Sequence, residues 1–211
     1  MEIPYRQMIV NDEMRATVLA VLETGISYGG EQTQRFEVEL AGRCGRTYGV
    51  AANSGTSVLL LILEALGIGP GDEVVLAANS YVGVLAAVAK TGATPVFVDA
   101  EADTANILPD AAAAAITGRT RAIIPTHMYG FPADMDAINA CASSAGVAVV
   151  EDAAHALGAA YKGRPAGGLG DVAFFSFSGK MITVFGPGGA AVTDDRGLAE
   201  HLSSLRDQGR T

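Results

Sequence analysis

The segment Glu73-Val74-Val75-Leu76-Ala77 is followed by Val82-Gly83-Val84-Leu85-Ala86-Ala87-Val88-Ala89-Lys90 and then by Pro95-Val96-Phe97-Val98-Asp99. The two outer runs are short, Val-rich and almost without polar residues, which reads as strands covered on both faces. The middle run is long enough for a helix, with Lys90 at the end where a cation suits the dipole. The same alternation continues in both directions. Upstream, Val10 to Glu23 and Arg35 to Cys44 have helical periodicity and Tyr48 to Ala52 is a β-run. Thr56 to Leu66 reads as a helix stopped by Gly67 and the Gly69-Pro70-Gly71 turn. Downstream, Pro109 to Ile116, Ala133 to Ala145 and Gly197 to Arg206 read as helices. Arg121 to Pro125, Ala148 to Asp152, Val172 to Phe177 and Ala190 to Thr193 read as strands. The expectation is an α/β fold with a central, seven-stranded, mostly parallel sheet and helices on both faces.

Composition narrows the function classes. The 211 residues are 49% hydrophobic and 18% charged, enough to bury a core, and the length fits one domain or one domain plus a fragment. A net charge of −9 argues against nucleic acid as a partner, because a phosphate backbone rewards basic surfaces. No apolar run approaches the ~18 residues of a membrane helix; Val58 to Leu63 ends at Glu64. Met1 to Arg6 lacks the basic-then-apolar order of a signal peptide. Cys44 and Cys141 have no metal-ligand spacing around them, so the expectation is reduced thiols and a cytoplasmic protein without a membrane partner.

Two nucleotide-binding patterns fail. The turn after the first β-run is Asn53-Ser54-Gly55-Thr56-Ser57, not the Gly-x-Gly-x-x-Gly of a dinucleotide fold. Gly179-Lys180 invites comparison with a phosphate-binding loop, but Met181 replaces the metal-binding hydroxyl and Phe174 stands where the first Gly belongs. Small residues opening a helix directly after a strand still make an anion site, or a plain N-cap. Glu151-Asp152-Ala153-Ala154-His155 ends another strand, where ligands of open α/β sheets gather; these acids could equally cap a turn, and His155 could be a packed imidazole. The chain has three lysines. Lys90 ends a helix and Lys162 lies in a polar turn, whereas Lys180 stands among apolar neighbours. Such a lysine is costly as a cation and suited to be a nucleophile, unless its ammonium snorkels to water. A phosphate cradle, the aromatic Tyr81, an acid and a sheltered lysine together match the needs of pyridoxal phosphate: phosphate, ring, ring nitrogen and aldehyde.

With these residues the chain resembles the N-terminal half of the DegT/StrS family of sugar aminotransferases, pyridoxal-phosphate-dependent enzymes of fold type I. The matching stretches run in family order from about Gly25 to Arg210. They include Asn53 to Ser57, Leu66 to Val74, Gly92 to Asp99, Pro125 to Gly130, Asp134 to Asp136, Glu151 to Ala156, Phe175 to Phe177, Lys180 and Gly188 to Thr193. The resemblance implies that Lys180 forms the Schiff base with pyridoxal 5'-phosphate and that Asp152 partners the pyridinium nitrogen. It places His155 beside the ring, Tyr81 stacked on it, and Gly55, Thr56 and Ser57 at the phosphate. The serine-to-lysine spacing is one residue shorter than the family's usual one, so either Ser176 or Ser178 helps to hold the phosphate. The implied substrates are an amino acid, glutamate as donor, and a nucleotide-sugar ketone, with a keto-cyclitol as the alternative acceptor. Residues 1–30 are expected to be an N-terminal arm and helix, and 31–211 the cofactor-binding large domain, the C-terminal small domain being absent from this chain. The implied association is a homodimer or a pairing with a polypeptide corresponding to the C-terminal half. The rival reading is a non-catalytic, cofactor-binding or partner subunit.

Overall fold

The computed structural model describes residues 10–26, 28–178 and 187–210. The elements are α1 (Asp12–Glu23), α2 (Glu31–Arg43), β1 (Tyr48–Ala52), α3 (Gly55–Ala65), β2 (Glu73–Ala77), α4 (Val82–Thr91) and β3 (Thr94–Val98). They continue with α5 (Pro109–Ala114), β4 (Thr120–Ile124), α6 (Met135–Ala145), β5 (Ala148–Asp152), β6 (Ala160–Tyr161), β7 (Arg164–Pro165), β8 (Val172–Ser176), β9 (Gly189–Thr193) and α7 (Arg196–Arg206). The seven expected strands form one sheet in the order β1-β9-β8-β5-β4-β2-β3. Its pairs are parallel except where β9 runs against both β1 and β8. Strands β6 and β7 form a separate hairpin that apolar periodicity does not announce, being two residues each around a polar turn.

Local chemistry accounts for the helix boundaries. Asn11, Ser54, Asp134 and Asp195 cap α1, α3, α6 and α7, each side chain accepting an amide of the first turn. Pro109 opens α5, and the left-handed Gly92 and Gly146 close α4 and α6.

Alternation along each strand sorts the core into two layers. Val74, Leu76, Ala122, Ile124, Val150, Val172 and Phe174 face α3, α4 and α7. Val75, Ile123 and Val149 face α5 and α6, while Ala173, Phe175, Ala190 and Val192 pack on α2. The sheet is less completely covered than its apolar strands imply: β3 is an edge, and Phe97 stays half exposed. Pro95 is tolerated there because an edge strand can spare a donor. Helix α1 forms as its periodicity predicts, yet none of its residues is buried, and Val18, Leu19 and Leu22 remain exposed. No described helix is long and apolar enough to cross a membrane. Cys44 and Cys141 are both free thiols, and burial pushes the Cys44 thiol up to about 11, which leaves it unreactive.

Candidate active site

The carboxyl ends of the parallel strands and the start of α3 enclose a cavity of about 500 Å³. Ser54 caps α3: its Oγ accepts the Ser57 amide at 3.1 Å and shares a hydrogen bond with Ser57 Oγ at 2.9 Å. The amides of Gly55 and Thr56, first in the helix, have no acceptor within it and carry the positive end of its dipole. Both residues line the cavity, as do Ser176 and Ser178. Ser176 lies so close to the turn that a Cβ on Gly55 would stand 2.7 Å from Ser176 Cβ. Gly55→Ala should therefore push the hydroxyl and amides apart, costing about 1–3 kcal/mol of stability. The parent's denaturation midpoint in the variant would count against this close approach.

At the floor, Asp152 is 3% exposed. Its Oδ1 accepts the Ala154 amide at 3.1 Å and its Oδ2 the Thr126 hydroxyl at 3.2 Å. Burial pushes its carboxyl above the ordinary aspartate range, against the lowering effects of the Ala154 amide, His155 and Thr126. Among the described residues it has no ion-pair partner. A buried acid without a cation at the bottom of a cavity is a receptor for a protonated group.

Its neighbour Glu151 points to the other face of the sheet, where it is fully buried. Glu151 Oε1 accepts the Leu169 and Gly170 amides at 2.6 Å each, and Oε2 accepts the Gly167 amide at 2.8 Å and His127 Nε2 at 3.0 Å. Burial alone would raise its pKa; His127 and these amides outweigh burial and hold the carboxyl below the usual range. His127 Nδ1 accepts the Ala133 amide at 3.2 Å, which leaves Nε2 as the nitrogen that donates to Glu151. The two adjacent acids thus do different work, one holding a loop and the other facing a ligand space.

Tyr81 precedes α4 at the cavity's rim, 65% exposed, and a Cβ on Gly83 would lie 2.7 Å from both its ring and Thr56 Oγ1. His155 also lines the cavity, its Nδ1 accepting the Tyr129 amide at 3.3 Å and its ring stacked on Tyr129. The structure thus brings together Gly55, Thr56, Tyr81, Asp152, His155, Ser176 and Ser178 around one space. Ser57 is not among them: its amide is spent on Ser54, and it borders a neighbouring cavity with Leu60 and Leu61. Lys180 lies outside the described residues. Residue-by-residue reading missed Asn79, Thr126, Met128 and Tyr129 as lining residues. The signal was available, since all four follow the carboxyl ends of β2 and β4, where this class of sheet binds ligands.

Residues 8–211 match the DegT/DnrJ/EryC1/StrS aminotransferase family. The chain belongs to that family. It is 46% identical to dTDP-3-amino-3,4,6-trideoxy-alpha-D-glucose transaminase of Streptomyces venezuelae over 93% of this chain and 52% of the relative. It is 45% identical to GDP-perosamine synthase of Caulobacter vibrioides over 88% of this chain and 50% of the relative. The solved structure of DesV from S. venezuelae, 46% identical, superposes with a TM-score of 0.90 over 94% of this chain and 54% of that one. The chain therefore spans about half the length of the curated relatives it matches. In this DegT/DnrJ/EryC1/StrS chain the fold is that of the family's solved members, with the cavity at the strand ends.

Proposed function

We propose that this chain takes part in pyridoxal-phosphate-dependent transfer of an amino group from an amino acid, glutamate in the first instance, to a nucleotide-linked keto sugar. One observation carries the reading: a buried carboxylate with no ion-pair partner among the described residues and a helix N-terminus with two serines face the same cavity. These are the complements of a protonated ring nitrogen and a phosphate, and a cavity of about 500 Å³ has room for the group joining them. The named activities of the two relatives support the amino-sugar direction.

When bound, the cofactor supplies an electron sink for the donor's Cα carbanion. Asp152 would keep the proton on the ring nitrogen, having no ion-pair partner among the described residues. The Gly55 and Thr56 amides with the Ser176 and Ser178 hydroxyls would hydrogen-bond the phosphate, Ser176 being the serine packed against Gly55. Tyr81 and His155 line the same cavity and would border the ring. Lys180 would hold the cofactor through its amine and, once released, would move the proton at the donor's Cα. The other lysines are poor rivals: Lys90 is exposed at the end of α4, and Lys162 pairs with Asp136 at 2.6 Å, which raises its pKa and keeps it protonated.

Borohydride reduction of the chain with added pyridoxal phosphate should therefore fix the label on Lys180, as read by peptide mapping. Labelling chiefly at Lys90 or Lys162 would sink the assignment.

A further inference from the structure

Asn106 lies in the loop between β3 and α5, outside the cavity, and is 1% exposed. Both ends of its amide are committed to one short segment. Its Oδ1 accepts the Met128 amide at 2.9 Å, and its Nδ2 donates to the Phe131 carbonyl at 3.0 Å. Between these anchors the chain makes a single 3-10 turn, Met128–Gly130. Tyr129 sits in that turn with φ of 54°, in the left-handed region that a tyrosine does not adopt without support. The kink aims the Tyr129 amide at His155 Nδ1. Gly130, with φ of 85°, lets the turn close on the His155 backbone, since a Cβ there would stand 3.2 Å from the His155 carbonyl oxygen.

A neutral imidazole has one donor and one acceptor nitrogen, and a partner that donates to Nδ1 leaves the proton on Nε2. We infer that Asn106 is a positioning residue: by pinning the Met128–Phe131 turn it presents the Tyr129 amide to His155 and fixes that imidazole as a hydrogen-bond donor. The inference rests on the pyridoxal-phosphate reading for its purpose, because a donor beside the ring is what an anionic phenolic oxygen requires. Its geometry stands without the cofactor. A buried amide two residues from the kink on one side and one on the other leaves the turn no freedom to re-aim.

The test is a long-range proton–nitrogen NMR correlation of the histidine rings in the cofactor-free 211-residue chain, at a pH where they are neutral. With three histidines, His201→Gln and His155→Gln complete the assignment. The parent should show His155 only as the Nε2–H form. Asn106→Ala should convert it to a mixture of both tautomers and weaken pyridoxal phosphate binding about tenfold, the worth of one hydrogen bond to a charged group. Leu202→Ala, buried on α7 away from the turn, should lower stability without changing the tautomer. Tyr129→Asn should keep the Nε2–H form, because Asn tolerates left-handed backbone and retains the amide. If Asn106→Ala fails to fold, Asn106→Asp keeps the acceptor for Met128 and, ionised, sets a carboxylate oxygen against the Phe131 carbonyl in place of the donor. An Nδ1–H form in the parent overturns the inference, as does a pure Nε2–H form in whichever Asn106 variant folds. A confirmed tautomer shift in a chain that binds no cofactor would leave the role of Asn106 standing and remove the pyridoxal-phosphate reading instead.

Discussion

Asp152→Asn should make the cofactor-free chain more stable at pH 7 and slow the amino-transfer half-reaction about 10²–10³-fold, the usual cost of losing one preorganised electrostatic partner. The carboxylate is buried, lacks an ion-pair partner among the described residues, and receives only the Ala154 amide and the Thr126 hydroxyl. Asn keeps both contacts, because the threonine hydroxyl can accept as well as donate. What it removes is the burial of a charge, and a gain of about 1 kcal/mol would raise the thermal midpoint about 2–4 °C in a chain of this length. The sign of the pH dependence follows. The folded carboxyl keeps its proton to higher pH than the unfolded one, so the penalty appears as pH rises past the ordinary aspartate value near 3.9. The advantage of Asn should therefore be present at neutral pH and vanish near pH 3. Calorimetry across pH and single-turnover absorbance of the cofactor read the two effects separately. Normal half-reaction rates in the variant would remove Asp152 from the chemistry, and a loss of stability at pH 7 would make it structural.

The neighbouring substitution, Glu151→Gln, should have the opposite effect on stability, a loss of about 3–5 kcal/mol. Four donors converge on the Glu151 carboxylate: the Gly167, Leu169 and Gly170 amides and His127 Nε2. Gln has a single acceptor oxygen, and its NH₂ would face donors, leaving buried N–H groups without partners at about 1–3 kcal/mol each. Arg46, 3.9 Å away, would also lose its buried counter-charge. Here the folded pKa lies below the unfolded one, so the stabilisation is complete above the ordinary glutamate range and is lost as pH falls through the folded value. The difference from the parent should be largest at pH 7 and shrink in acid. Urea denaturation at pH 7 and pH 4 measures both points; equal midpoints at pH 7 would mean that the loop between β7 and β8 does not depend on this acid.

These adjacent acids show how far the sequence could be read. Strand β5 was legible from its apolar run, and the period of two puts residues 151 and 152 on opposite faces. Nothing local says which face carries the ligand space. That is set by where α3 packs, because its N-terminus supplies Gly55 and Thr56 on the face to which Asp152 points. The same limit explains Ser57. The Ser-Gly-Thr-Ser turn was legible as an anion site or a cap; the cap forms, and which amides it consumes depends on the Ser54 rotamer. Tyr129 and Asn106 went unread because Asn106 meets Met128 across 22 residues of chain and Tyr129 meets His155 across 26.

Among the described residues, the seven strands of the main sheet and the helices follow from the sequence alone, because each is determined within a few residues by periodicity, side-chain acceptors and left-handed glycines; the β6–β7 hairpin does not. The resemblance to a family followed too, since its motifs are local. The strand order, the reversal of β9, the edge position of β3 and the partners that Glu151 and Asp152 each meet were decided only by the tertiary structure. They arise from hydrogen bonds and packing between segments distant in the chain, whose pairing energy no local pattern contains.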